Sequence, residues 1–148
     1  MGLSDLNVAF KIVERNNGDF EGPKSDELIC KAEAALGLKF PPSYRRFLEV
    51  LGCGDVAGME FYGLINDEFV NSSVPNAIWL TLSERELGLP RELILVYGAG
   101  NGDFYAIDTS SVDEYGENPI VVIQINGDIK KIFDSFGSFM LSELKTIL

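Results

Sequence analysis

The chain has 148 residues, 46% of them hydrophobic, and carries 23 acidic against 12 basic side chains with no histidine, for a net charge of −11. That size and apolar content predict a single domain spanning residues 1–148, able to bury about two thirds of the surface its unfolded form exposes. The missing histidine removes the commonest general base and metal ligand, and the charge repels phosphate backbones and anionic lipid heads.

In chain order, Leu6, Ala9, Phe10 and Val13 recur at helical spacing behind Ser4, predicting an amphipathic helix from Asp5 to Asn16, ended by Asn17-Gly18-Asp19. Ser25 predicts the cap of a second helix with Leu28, Ile29, Ala32 and Leu36 on its apolar face and Gly37 at its end. Pro42 opens a third, with Tyr44, Phe47, Leu48 and Leu51 as its buried stripe and Gly52 closing it. The segment from Val56 to Leu64 reads as one strand with a bulge at Gly58 or Gly63. Pro75 and Gly88 bracket a helix within Val74 to Leu87. Leu93 to Tyr97 and Phe104 to Ile107 form a hairpin across a glycine-rich loop, and Ile120 to Ile125 turns at Asn126-Gly127 into Ile129 to Phe133. Ser135 caps a last helix bearing Phe136, Phe139, Met140, Leu144 and Ile147 on one side. The fold class expected is α+β, with helices packed on a mainly antiparallel sheet of about five strands.

Little in the chain points to catalysis. The loop from Gly98 to Asp103 lacks the Lys-Ser/Thr ending of a phosphate cradle and runs into a strand, with Asp103 where an anion would sit. Asp67, Glu68, Asp113, Glu114 and Glu117 match no calcium-loop spacing, so no cofactor and no metal is expected. Cys30 and Cys53 form no ligand or disulfide pattern and read as small buried hydrophobes in a reducing compartment. The N-terminus lacks the apolar core of a signal peptide and no apolar run reaches membrane-span length, so a soluble, cytoplasmic protein is expected.

The charge has a location. From Gly54 to Ile123 there are twelve carboxylates and two arginines, whereas the segments on either side are close to neutral. A field of one sign steers cationic proteins toward it, and aromatic rings among carboxylates supply contact area to a protein-binding patch. The expected partner-binding residues are therefore Tyr62, Trp79 and Tyr105 with Asp67, Glu68, Asp103, Asp108, Asp113, Glu114 and Glu117.

At Leu36-Gly37-Leu38-Lys39-Phe40-Pro41-Pro42-Ser43-Tyr44-Arg45-Arg46-Phe47-Leu48, preceded by Glu33, the chain resembles the SUKH superfamily of yeast cell-wall assembly regulators and bacterial immunity proteins. The likeness continues in the hairpin from Gly98 to Asp108, the strand from Pro119 to Ile123 and the segment from Ile132 to Met140, covering about Asp26 to Lys145. Where many relatives carry an Asn-Gly-Gly turn, this chain has Leu51-Gly52-Cys53-Gly54-Asp55. The resemblance implies an α+β domain without transferable catalytic residues that binds a cognate toxin, often a nuclease, and blocks it; the negative charge argues against direct contact with nucleic acid or membrane. The runner-up that the same resemblance implies is a regulatory module of the cell-wall type, binding endogenous signalling proteins. Gly37, Pro41, Tyr44 and Phe47 read as scaffold.

Overall fold

A computed structural model describes residues 2–148. Seven strands form one antiparallel meander, each paired with its sequence neighbours: β1 (Asp19–Phe20), β2 (Gly54–Val56), β3 (Met59–Phe61), β4 (Leu93–Gly98), β5 (Phe104–Asp108), β6 (Ile120–Ile123) and β7 (Ile129–Phe133). Five helices complete the α+β fold: α1 (Gly2–Arg15), α2 (Asp26–Leu36), α3 (Pro42–Val50), α4 (Ala77–Arg85) and α5 (Phe136–Lys145).

The helix signals act locally. Ser25 accepts the Leu28 N–H and Ser135 accepts that of Ser138, each satisfying an orphan donor of a first turn. Gly37 ends α2 in the left-handed region at φ 70°, donating its N–H to the Glu33 carbonyl. Ser4 lies inside α1 instead of capping it. Asn76, not Pro75, caps α4, its carboxamide oxygen accepting from the N–H groups of Ile78 and Trp79.

The largest departure from the expected five strands lies between Gly54 and Phe61. Ala57 (φ 51°) and Gly58 (φ 81°) both take the left-handed region, the geometry of a two-residue hairpin turn, so the expected bulged strand is two strands. The polar stretch after α1 then adds β1 as an edge strand.

Two hydrophobic clusters hold the sheet. On its first face, Leu6, Ala9, Ile12 and Val13 of α1, Tyr44 and Phe47 of α3, and Phe136, Phe139 and Met140 of α5 pack on Val56, Phe61, Ile94, Ile107 and Ile120. Edge-to-face rings run through it, Tyr44 to Phe136 at 4.9 Å and Tyr97 to Phe139 at 5.3 Å. On the second face, Ala77 and Leu80 of α4 pack on Leu93, Leu95, Ala106 and Val121. Cys53 is buried as expected, but Cys30 is exposed on α2, a correction that follows from its position outside the Ile29, Ala32 and Leu36 stripe.

Candidate functional site

The acidic residues expected to form one patch are divided among three loops and the end of β5, and most are engaged locally. Asp67 lies 3.6 Å from Lys31, and Glu68 accepts the N–H groups of Val70 and Asn71. Asp103 accepts the Ile125 N–H at 3.1 Å, tying the two hairpin turns together. Asp108 accepts from the N–H and hydroxyl of Ser110, and Asp113 from the N–H groups of Tyr115 and Glu117. Asp103 precedes β5 and Asp108 ends it, a separation of roughly 17 Å at strand rise. Glu114 is exposed in the loop between β5 and β6.

Glu117 is corrected outright. It is 2% exposed, and its carboxylate accepts the Ser43 N–H at 3.0 Å and the Ser43 hydroxyl at 2.9 Å. The Ser43 hydroxyl in turn accepts the Gly137 N–H at 3.0 Å. Pro41, at the N-cap of α3, supplies no capping side chain, so a carboxylate 74 residues away does that work at the positive end of the helix. Among the rings, Tyr62 is 9% exposed. Tyr105 packs into the first-face core against Tyr97 and Phe139, at 5.5 and 5.2 Å. Trp79 lies half-buried against the second-face cluster.

The carboxylates that the fold gathers are others. Val56 and Phe61 point into the first-face core and the Phe20 ring stands 6.2 Å from that of Phe47, so strand alternation sends Asp55, Glu60 and Asp19 to the second face. There Asp19 stands directly opposite Asp55, and Asp55 directly opposite Glu60, a row of three like charges across β1, β2 and β3. Like charges opposed across a ladder destabilise it. Among the described residues no cation pairs with any of the three; neighbouring Lys24 is engaged by Glu21 at 3.2 Å and the Ile65 carbonyl at 2.9 Å. The row borders a concavity of about 340 Å³, lined also by Glu21, Cys53, Ile65 and Pro75.

Buried groups around it register both burial and field. Burial, then the Glu21 carboxylate, push the Cys53 thiol up to about 12, leaving it neutral. Burial and Glu60 raise Tyr62. Glu117 is raised by burial, which the Ser43 hydrogen bonds partly offset, and Glu143 is raised by burial alone. A carboxyl raised above its unfolded value adds stability that is fully present below the unfolded value and lost as pH rises through the folded one. The melting temperature is therefore expected to rise as pH falls from 7.5 toward 5, with self-repulsion of the net charge relaxing in the same direction. A thermal scan showing a monotonic fall over that range would contradict the assignment.

Among the described residues no three Cys, Asp or Glu side chains are arranged to hold a metal ion, and no helix is long and apolar enough to cross a membrane. Sequence reasoning missed the row because two of its members depend on the tight Ala57-Gly58 turn and the third on a two-residue strand. The only sequence signal was the presence of Asp55 and Glu60 within the acidic segment.

The motif from Glu33 to Leu48 is scaffold. Glu33 is buried, accepts the Phe40 N–H at 2.8 Å and pairs with Arg45 at 3.3 Å, and the Tyr44 hydroxyl donates to the Tyr62 carbonyl at 2.9 Å. The family model SUKH_6, described as SMI1-KNR4 cell-wall, matches residues 26–140. None of the curated proteins matches the chain. A crystal structure of a protein from Pseudomonas syringae pv. tomato shares the fold at a TM-score of 0.61 over 88% of this chain and 93% of that one, with 14% sequence identity. With the motif residues in scaffold positions and the family match running from α2 into α5, the chain belongs to the SMI1-KNR4 cell-wall family of the SUKH superfamily.

Proposed function

We propose that this protein neutralises a cognate toxin, with a cationic nuclease domain as the best-fitting class, by stoichiometric binding through the acidic part of its second sheet face. The observation that carries the reading is the unpaired row Asp19, Asp55 and Glu60, which the ladder holds against its own repulsion. Local rules are broken where function requires it. At a strand spacing of about 4.8 Å the three carboxylates span about 10 Å, while Glu21 beside them is paired with Lys24.

A nuclease must hold phosphates and therefore presents a cationic cleft. The row occupies such a cleft as a competing anion, and blocking the cleft needs no bond-making by this chain. Asp67, Glu68, Asp108, Asp113 and Glu114 lie outside the row and act by charge only, adding to the long-range field that steers encounter. Trp79 and Asp103 stay in the contact set, while Glu117, Tyr62 and Tyr105 serve the fold.

Co-expression with candidate toxin domains taken from the genes that flank this one tests the reading. Cells carrying both are expected to survive, and the two chains are expected to co-purify in equimolar amounts. Death of cells that accumulate the folded protein contradicts it.

A further inference from the structure

Helix α4 covers β4 on the second face, and beyond it lies a groove of about 540 Å³. Its walls are Leu87 and Leu89 from the turn after α4, Phe104 of β5, Ile123 at the end of β6, Ile125 in the turn that follows, and Ile129 of β7. Leu87 is 82% exposed, Ile125 80% and Ile129 46%. Three large aliphatic side chains standing in water around one concavity mark an interaction site more than a surface that happens to be apolar.

The exposed side chains are carried on fixed turns. The Leu87 and Leu89 N–H groups both donate to the Glu84 carbonyl at 3.0 Å, and the Ile125 N–H donates to the Asp103 carboxylate at 3.1 Å. A wall held this way loses little conformational freedom on binding. The rim is anionic: Glu84 lines the groove, and Asp103 and Asp128 follow the lining residues Gly102 and Gly127. Lys131, on the neighbouring strand, is neutralised by Asp134 at 2.8 Å.

We infer that this groove seats an apolar side-chain cluster, flanked by lysine or arginine, of the same cationic partner that the acidic row attracts. The inference rests on the toxin-binding reading and adds the residues that hold the complex after encounter. A second copy of the chain fits less well, since a two-fold axis through the groove would bring the rim carboxylates of two strongly negative chains together.

The experiment uses the purified full chain and the candidate toxin domain that the co-expression test selects, with binding followed in real time. Leu87→Ser with Ile125→Ser replaces two side chains that stabilise little in the free protein, and an unchanged melting temperature confirms that the variant is folded. Dissociation is expected to quicken about tenfold or more, with the association rate within twofold of the parent and the effect independent of salt. An unchanged dissociation rate overturns the groove and leaves the toxin reading standing. No binding by the parent chain overturns both. A micromolar dimer of the parent that the variant cannot form assigns the groove to a second copy and overturns the inference.

Discussion

Glu117→Ala is expected to destabilise the protein by about 2–4 kcal/mol, because it strips the Ser43 N–H and hydroxyl of their acceptor inside a closed site. For a chain of this length that corresponds to a fall in melting temperature on the order of 5–10 °C. The loss spreads because three elements meet there: the loop before β6, the first turn of α3 and, through Ser43, the first turn of α5. Glu117→Gln keeps one of the two acceptor oxygens, turns an amide NH2 toward the other Ser43 donor and removes the desolvated charge, so it is expected to lose about 1–2 kcal/mol, less than alanine. It should also flatten the gain in stability on acidification, since a group held above its ordinary range by burial no longer titrates. Chemical denaturation of both variants at pH 7 checks this. Equal losses for alanine and glutamine would mean that both carboxylate oxygens, and not the side-chain shape with a single acceptor, are required at this position.

Asp55→Lys is expected to move stability and binding in opposite directions. Asp55 is the middle member of the row, with Asp19 on one side and Glu60 on the other. Reversal there turns two repulsive cross-strand pairs into attractive ones, each worth about 0.2–1 kcal/mol. The melting temperature should rise by a few degrees, on the order of 1–4 °C. Association with a cationic toxin domain should meanwhile slow by roughly fivefold to tenfold at low salt, because the centre of the attracting field has changed sign. A residue kept for the fold alone would not show this opposition. Thermal unfolding and binding kinetics on the same preparation measure both halves.

The elements legible in the sequence were those whose signals are local. Ser25, Gly37 and Ser135 mark helix ends by hydrogen bonds and backbone angles set within four residues, and the structure places them there. Asn126-Gly127 lies in the turn between β6 and β7 as expected, but β6 ends at Ile123 rather than Ile125 and the turn is a longer loop in which Gly127, not Asn126, takes positive φ. The hairpin at Ala57-Gly58 was not legible, because alanine seldom takes the left-handed region and the pair carries no asparagine or aspartate signal. β1 was not legible because two residues have no periodicity; only its partner β2 defines it.

The site depended on just those elements. Charge counting found the acidic segment but could not distinguish carboxylates bound into turns, such as Asp103, Asp108 and Asp113, from those left unpaired. It also could not find Glu117 buried against a helix start 74 residues away. Asp19 lay outside the segment altogether and joins the row only through strand pairing. The apolar groove joins three separate turns with residues of α4 and of strands β4 to β7, and no window of sequence contains it.

The salt dependence of association between the parent chain and its toxin domain tests the central claim most directly. Between about 0.05 and 0.5 M monovalent salt, where the screening length falls from roughly 14 to 4 Å, the association rate should drop by about tenfold or more, and the Asp55→Lys rate should converge on it. A rate that stays flat across that range, with the variant indistinguishable from the parent at low salt, would contradict an encounter driven by the Asp19, Asp55 and Glu60 row.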